Sequence, residues 1–443
     1  MKPNILYIHS HDTGRYVQPY GYAIPTPHIQ RLAEEGVLFR QAFCANPTCS
    51  ASRAALLTGS WPHCNGMVGL AHRGSRLHDY GQHLVHTLKR HGYIATLSGA
   101  QHEVATHERD LLGYDHFLDP PPGDADWNES VARAAADFIG ERHEEPFFLS
   151  CGFTLTHRTG RGTQWHNDAA SPAGDPRYCR PPAPLPDTPE VRRDFADYIV
   201  AARRLDRCMG IVLAALAQQG LAGNTLVVCT TDHGIAFPFM KCNLTDHGIG
   251  VMLILRGPGG FTGGNVVDAL GSHGDVFPTI CEVAGIPPPA WLQGRSLGPL
   301  AARSAGAVHD EIFAEVNYHA AYEPMRAVRT ARHKYIRRFD VRAHPVLPNC
   351  DDSVTKNLML QAGWGNRPQR EEYLYDLLFD PNEACNVAGD AAYAEVLADM
   401  RRRLDRCMRD TKDPLLAGPV PPWPGMVLNP IDGMSPQEPT FTV

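Results

Sequence analysis

Asn4 to Ser10 (NILYIHS) is rich enough in β-branched and aromatic residues to read as a buried strand. Thr26-Pro27 reads as an N-cap followed by proline at the first helical position, and the helix it opens runs to Gly36. Pro146 to Phe153 and Asn224 to Thr231 are two further core-strand patterns, each following a helical stretch, and Gly250 to Arg256 is a fourth. Strand-like and helix-like segments that alternate in this way predict an α/β layered domain.

The texture changes after residue 305. Glu311 to Glu315, Ala327 to Arg338 and Glu371 to Leu377 are separated strand candidates, followed by a helical stretch from Ala391 to Thr411. This predicts a large α/β domain over residues 1–305 and a small α+β unit over 306–443. The last thirty residues are rich in Pro and Gly and predict an extended tail that either wraps the body or is loosely ordered. The heptapeptide RRLDRCM occurs at Arg203 to Met209 and again at Arg402 to Met408, both in amphipathic helical contexts. With no wider similarity around the copies, it reads as coincidence rather than a repeat.

Composition narrows the function classes. The chain has 443 residues, 43% hydrophobic and 20% charged, and no window approaches the roughly 18 uninterrupted apolar residues of a membrane span. A net charge of −7 without any Lys/Arg run gives no electrostatic footprint for nucleic acid. The amino terminus, MKPNILYIHSHD, passes into the first strand without the features of an export signal, so a cytoplasmic protein is expected. The twelve cysteines include no Cys-x-x-Cys pair and read mostly as reduced, buried small hydrophobes.

Chemistry concentrates around Cys49-Ser50-Ala51-Ser52-Arg53. This stretch lies between the loop at Asn46-Pro47 and a helix-compatible run, Ala54 to Thr58, closed by Gly59. Cys49 is thereby placed at a helix N-terminus, where backbone N–H groups and the helix dipole favour anions and activated nucleophiles. Asp12 and the pair Asp232-His233 each follow a predicted strand. Such residues converge at the carboxyl edge of a parallel sheet, the usual place for an α/β site. Two carboxylates beside histidines and a candidate nucleophile suit a hard divalent metal.

The pentapeptide, with the following Leu57-Thr58-Gly59, resembles the signature of the sulfatase family, in the alkaline phosphatase superfamily. Further likenesses run in family order along nearly the whole chain. They include Asn4-Ile5-Leu6 with His11-Asp12, Pro62 to Gly66, Gly92-Tyr93 before His102, Pro146-Phe147-Phe148 before His157, and Thr231 to Gly234 before Lys241. Ser272-His273 with Asp275 to Thr279, Gly294 to Leu297, and Tyr373 to Asp376 with Asp380-Pro381 are later ones. The resemblance implies a central mixed sheet flanked by helices, with a smaller C-terminal α+β domain. It also implies that a formylglycine-generating enzyme converts Cys49 to formylglycine, whose hydrate attacks the sulfuryl group. Asp12, His11, Cys49, Asp232 and His233 are the implied metal ligands, with Ca²⁺ as the expected ion and Mn²⁺ or Mg²⁺ as alternatives.

Four departures from the family pattern matter. Ala51 stands where Pro is commoner, and Ala100-Gln101 replace a Lys-Trp pair before His102. His11 replaces an Asp, so either His11 binds the metal through nitrogen or Asp12 carries that side alone. His233 replaces an Asn, as in the phosphonate monoester hydrolase branch, and extra imidazole tilts the site toward Mn²⁺. Gly66 to Leu70, and Asp232 to Pro238 with Lys241 and Asn243, resemble the sulfamidase (heparan N-sulfatase) branch.

The expected reaction is hydrolysis of a sulfate ester or sulfamate on a small molecule or saccharide. Lys241 and Arg53 stabilise charge, His157 assists the leaving group, and His102 takes the proton whose loss expels sulfate. His72 and Arg73 are candidate substrate contacts, with Asp79 beside them. Two alternatives stand: a phosphonate monoester or phosphodiester hydrolase with the same nucleophile, and a catalytically silent anion- or sugar-binding homologue. A homo-oligomer is compatible with either.

Overall fold

The computed structural model describes residues 2–120, 126–159, 164–165, 174–340 and 342–443. Its centre is an eight-stranded sheet built from β1 (Asn4–Ser10), β2 (Val37–Phe43), β3 (Ile94–Gly99), β4 (His116–Leu118), β5 (Phe147–Gly152), β6 (Thr225–Thr231), β7 (Leu253–Arg256) and β8 (Asn265–Ser272). The order across the sheet is β8-β2-β7-β6-β1-β5-β3-β4. All neighbours are parallel except β7, which runs antiparallel to both β2 and β6.

Every residue of β1 and β6 is buried, because helices cover both faces of the sheet. Successive side chains point to opposite faces, so Ile5 and Tyr7 enter one core with Leu56, Leu57 and Phe277. Leu6 and Ile8 enter the other with Val131, Ile139 and Leu205. The strands predicted at Asn4–Ser10, Pro146–Phe153 and Asn224–Thr231 are therefore central ones. The one predicted at Gly250–Arg256 is shorter and antiparallel. Unpredicted β2 carries exposed Arg40 at its middle, and β8 alternates intermediate and exposed residues over its first half, so neither reads as a continuous apolar run.

Helix α1 (Pro27–Glu35) begins as predicted, but Thr26 does not cap it: its hydroxyl accepts from the Gln18 N–H. The first turn is capped instead by Asp206, whose carboxylate accepts from the N–H groups of His28 and Ile29 at 3.2 and 2.8 Å. Asp206 lies in the first RRLDRCM copy, on a helix spanning Pro189–Gln218. Its counterpart Asp405, in the helix Ala394–Asp410, only faces Arg337 at 3.5 Å. The two copies do different work, in keeping with coincidence.

The C-terminal unit is an antiparallel meander of β9 (Glu311–Tyr318), β10 (Tyr322–Thr330), β11 (His333–Arg338) and β12 (Glu372–Asp376), covered by the helix Ala394–Asp410. The single candidate at Ala327 to Arg338 is in fact the end of β10, a turn at Ala331-Arg332, and β11. No Gly or Pro marks that turn. The tail wraps the body: Trp423 donates its indole N–H to the Gly66 carbonyl at 2.8 Å, and Met426 is buried against Val68 and Tyr318. Among the described residues no helix is long and apolar enough to cross a membrane.

A buried ion network seals the two units. His63, just after the helix that carries Cys49, pairs with Glu315 of β9, and Arg326 of β10 binds Asp413 and approaches Glu315 at 3.5 Å. Although His63, Glu315 and Asp413 could group around a cation, the Arg326 guanidinium already supplies the charge there. Burial opposes protonation of His63, but Glu315 outweighs it and pushes the imidazole up to about 10. A raised folded value adds stability that is full below the unfolded value of about 6.5 and is lost as pH rises through about 10. Glu315→Gln should therefore cost about 3–5 kcal/mol at pH 7. It should also flatten the fall in melting temperature between pH 7 and 10; an unchanged fall would show that His63 is not its source.

Candidate active site

Four neighbouring parallel strands, β6, β1, β5 and β3, end on one edge of the sheet. The loops that leave them carry Asp232-His233, His11-Asp12, His157 and His102 respectively. Ser10 is in register with Thr231, so Asp12 and Asp232 emerge side by side. The Asp12 N–H donates to Asp232 Oδ1 at 2.8 Å, with Asp12 at φ 51°, the left-handed region that non-glycine residues hold only when the surroundings enforce it. Gly234 is enforced as well: a Cβ there would lie 2.0 Å from the His247 carbonyl oxygen.

Cys49 faces these residues from the first position of the helix Cys49–Thr58, which ends at Gly59 in the left-handed conformation as predicted. All ten residues of this helix are buried, so it fixes the sulfur from every side. Cys49 Sγ lies 3.3 Å from His233 Nε2 and 4.0 Å from Asp12 Oδ1. Burial pushes its thiol well up, with Lys241 and Arg53 opposing and the two Asp carboxylates adding. His233 Nε2 is also 3.3 Å from Asp12 Oδ1 and 3.8 Å from Asp232 Oδ2.

Arg53, one turn beyond Cys49, is buried behind the site. Its Nη2 donates to Asp232 Oδ2 at 3.0 Å and to the Ser10 carbonyl at 2.8 Å, and Nη1 meets His9 Nδ1 at 2.6 Å. Burial alone would raise the Asp232 carboxyl, but His233, Arg53 and His11 hold it well below the usual carboxylate range. Ser52 donates to the Asp232 carbonyl at 2.6 Å and meets His273, so the Ser272-His273 landmark supports the site from behind. Asp275 likewise caps its own turn and receives the Arg295 N–H at 2.7 Å.

Lys241 is buried with Nζ 3.0 Å from both Asp12 Oδ2 and Asp351 Oδ2. Desolvation would lower its ammonium, but these two carboxylates raise it well above the ordinary lysine value. His157 has Nδ1 2.6 Å from the Arg158 carbonyl, which fixes the proton there and turns Nε2 toward Lys241 at 3.5 Å and Asp12 at 3.9 Å. His102 Nε2 meets His72 Nδ1 at 2.7 Å with the rings nearly parallel, while His102 Nδ1 is buried without a hydrogen-bond partner. Burial first, then His72 and His11, keep His102 neutral.

Two of the predicted surroundings go elsewhere. Arg73 donates to Asn429 Oδ1 of the tail at 2.8 Å, and Asp79 is an exposed turn cap accepting from the Gly81 N–H. In their place come two residues that sequence reasoning missed. Asp351 follows the short turn Leu347–Asn349, and the buried His319 sits at the end of β9, its Nδ1 without a partner. Asn349 stitches these loops together by accepting from the N–H groups of Ala320 and Ala321 at 3.0 and 2.8 Å. Neither residue belongs to a spacing pattern; only the paired Asp351-Asp352 in a loop offered a signal.

The sulfatase family profile matches residues 3–286, well over half the chain, and the protein belongs to the sulfatase family; it is a hydrolase. A second profile, that of the N-sulphoglucosamine sulphohydrolase C-terminal region, matches residues 233–347. Human N-sulphoglucosamine sulphohydrolase is 28% identical over 90% of this chain and 88% of its own length. An ulvan-active sulfatase of Formosa agariphila is 27% identical over 91% of this chain and 74% of its own. The crystal structure of the phosphonate monoester hydrolase of Agrobacterium radiobacter shares the fold, with a TM-score of 0.70 at 21% identity, covering 94% of this chain and 97% of that one.

Proposed function

We propose that this sulfatase removes sulfuryl groups from sulfated saccharides, N-sulfated amino sugars foremost, with a nucleophile made from Cys49. The observation that carries the reading is Cys49 Sγ facing Asp12, Asp232, His233 and Lys241 on the carboxyl edge of the sheet. The match to the sulphoglucosamine C-terminal profile supports the amino-sugar preference. The division at residue 305 remains part of the proposal, ahead of β9.

The donor set fits a divalent cation. His11, Asp12, Cys49 and Asp232 can present ligand atoms all within 4.8 Å of one another, and His11 Nδ1 is buried without a hydrogen bond. Asp12, Asp232, His11, His233 and residue 49 would hold the ion, Ca²⁺ or, given two imidazoles, Mn²⁺, with Mg²⁺ as a further alternative, and it would neutralise charge on sulfuryl oxygens. Formylglycine at residue 49, made by a formylglycine-generating enzyme, would supply an oxygen nucleophile whose second hydroxyl lets sulfate leave.

The chain's own groups do the rest. Lys241 presents a permanently charged ammonium to the sulfuryl oxygens and is aimed by Asp12 and Asp351. Arg53 acts as a positioning residue, holding Asp232 in place from behind. We assign the proton of the His72–His102 contact to His102 Nε2, so that the free Nδ1 of His102 is the base. His157, its Nδ1–H held by the Arg158 carbonyl, acts as an imidazolium whose Nε2–H donates to the departing nitrogen or oxygen. His72 lies at the rim as a substrate contact, and Arg73, held through Nη1 by Asn429 of the tail, stands beside it. The twelve free thiols support a reducing, cytosolic setting.

Activity of the converted, metal-loaded protein on N-sulfated glucosamine, an O-sulfated sugar, an aryl sulfate and a phosphonate monoester tests this reading. The first is expected to give the highest kcat/KM. A phosphonate preference would establish the second reading, which His233 favours by bringing a nitrogen where the family usually has an amide. For His157→Ala we expect a loss of about 10²–10⁴-fold on sugar substrates and far less on aryl sulfates, whose leaving group needs little protonation. Equal losses on both would leave His157 a binding residue.

A further inference from the structure

The pocket contains a second grouping that could hold a cation. His11, Cys49 and His102 can offer one ligand atom each, all within 4.8 Å of one another. It differs from the carboxylate set in character, with one sulfur and two imidazole nitrogens and no oxygen. His11 is 7% exposed and Cys49 2% exposed; His102 Nδ1 is buried without a hydrogen bond, and His11 Nδ1 has only the 3.3 Å ion-pair contact with Asp232. An unpartnered imidazole nitrogen and a second held only by a long contact, beside a buried sulfur, leave a desolvation cost that a ligand would relieve.

The surroundings prepare His102 for such a ligand. With the proton of the 2.7 Å His72–His102 contact assigned to His102 Nε2, the Nδ1 lone pair of His102 is free. Asp232 stands 3.3 Å from His11 Nδ1, close enough to replace one water on a bound ion. Sulfur and imidazole donors select borderline cations such as Zn²⁺ over Ca²⁺, and four-coordinate Zn²⁺ suits two nitrogens, one sulfur and one oxygen or water.

We propose that the protein whose Cys49 has not been converted binds one Zn²⁺-class ion through Cys49 Sγ, His11 and His102, and that conversion of the thiol abolishes this site. Binding releases the thiol proton to solvent and leaves a zinc-bound thiolate, with no change of oxidation state. Because the two donor sets share His11 and Cys49, the ion excludes the hard cation of the mature enzyme. The assignment concerns binding alone and stands apart from the identity of the substrate.

The test uses the full chain produced without a maturation enzyme, stripped with chelator, and titrated with Zn²⁺ and with Co²⁺ as its spectroscopic surrogate. One equivalent of Co²⁺ should bind with a thiolate-to-cobalt charge-transfer band, and Cys49→Ser should lose that band. Zn²⁺ affinity should fall at least tenfold in His102→Ala and roughly tenfold in His72→Ala, the usual effect of removing an outer partner of a ligating imidazole. Circular dichroism of each variant checks folding, and His102→Phe repeats the test if alanine perturbs it. A band that persists in Cys49→Ser would place the ion on another thiol, Zn²⁺ affinity unchanged in both His102 variants would place it on the carboxylate set, and either result would overturn the proposal.

Discussion

Cys49→Ala should reduce turnover of every sulfated substrate by more than about four orders of magnitude while leaving the protein folded. Loss of a nucleophile that works with a base and charge-stabilising groups costs nearly as much as loss of the whole constellation, because the remaining groups have nothing to act on. The fold should survive because Cys49 is a terminal residue of its helix and the change deletes a single buried sulfur. Stability by denaturant titration should shift by about 1 kcal/mol. kcat/KM on N-sulfated glucosamine decides the matter. Activity above one hundredth of the parent would mean that the attacking group is not residue 49.

Asp232→Ala should remove metal binding and activity together, and it should also destabilise the metal-free protein. The carboxylate is the shared partner of Arg53, the Asp12 N–H and His11. Without it the Arg53 guanidinium, 1% exposed, remains buried without its bonded counter-charge, at a cost of about 3–5 kcal/mol. The folded carboxyl is held well below its ordinary value of 3.8, so this contribution is present above about pH 4 and is lost as pH falls through the folded value. Unfolding in excess chelator separates the charge effect from metal linkage. Adding Arg53→Met to Asp232→Ala should recover much of the loss, since the uncompensated charge is then gone. If the double variant is no more stable than Asp232→Ala alone, the pair is not what holds this corner of the fold. Stoichiometric metal retained by Asp232→Ala would show that the donor set lies elsewhere.

Much of this centre is written in short stretches of chain. A strand that must be buried on both faces announces itself as an unbroken apolar run, which is why β1 and β6 are legible while edge-lying β8 and Arg40-bearing β2 are not. The helix at Cys49 is legible because its start, its run and its glycine stop are all local. The Asp and His residues that follow the strands lie near the site because parallel strands deliver their carboxyl ends to one edge whatever their order.

What the sequence cannot hold is any decision made by parts of the chain that meet only after folding. Thr26 looks like a cap, yet Asp206 from a distant helix supplies stronger acceptors and takes the role. Arg73 looks free for substrate until the tail brings Asn429 to it. Arg53 looks like a pocket cation until β1 and β6 close around it and present Asp232 and Ser10. His319 carries no signal and Asp351 only that of the pair Asp351-Asp352 in a loop, because their place beside Lys241 depends on how the C-terminal meander docks. Local propensity and periodicity determine which segments become strand and helix and so which residues reach the sheet edge. Which charge each then faces is settled by tertiary contact, because a buried ion must find its partner wherever the fold happens to supply one.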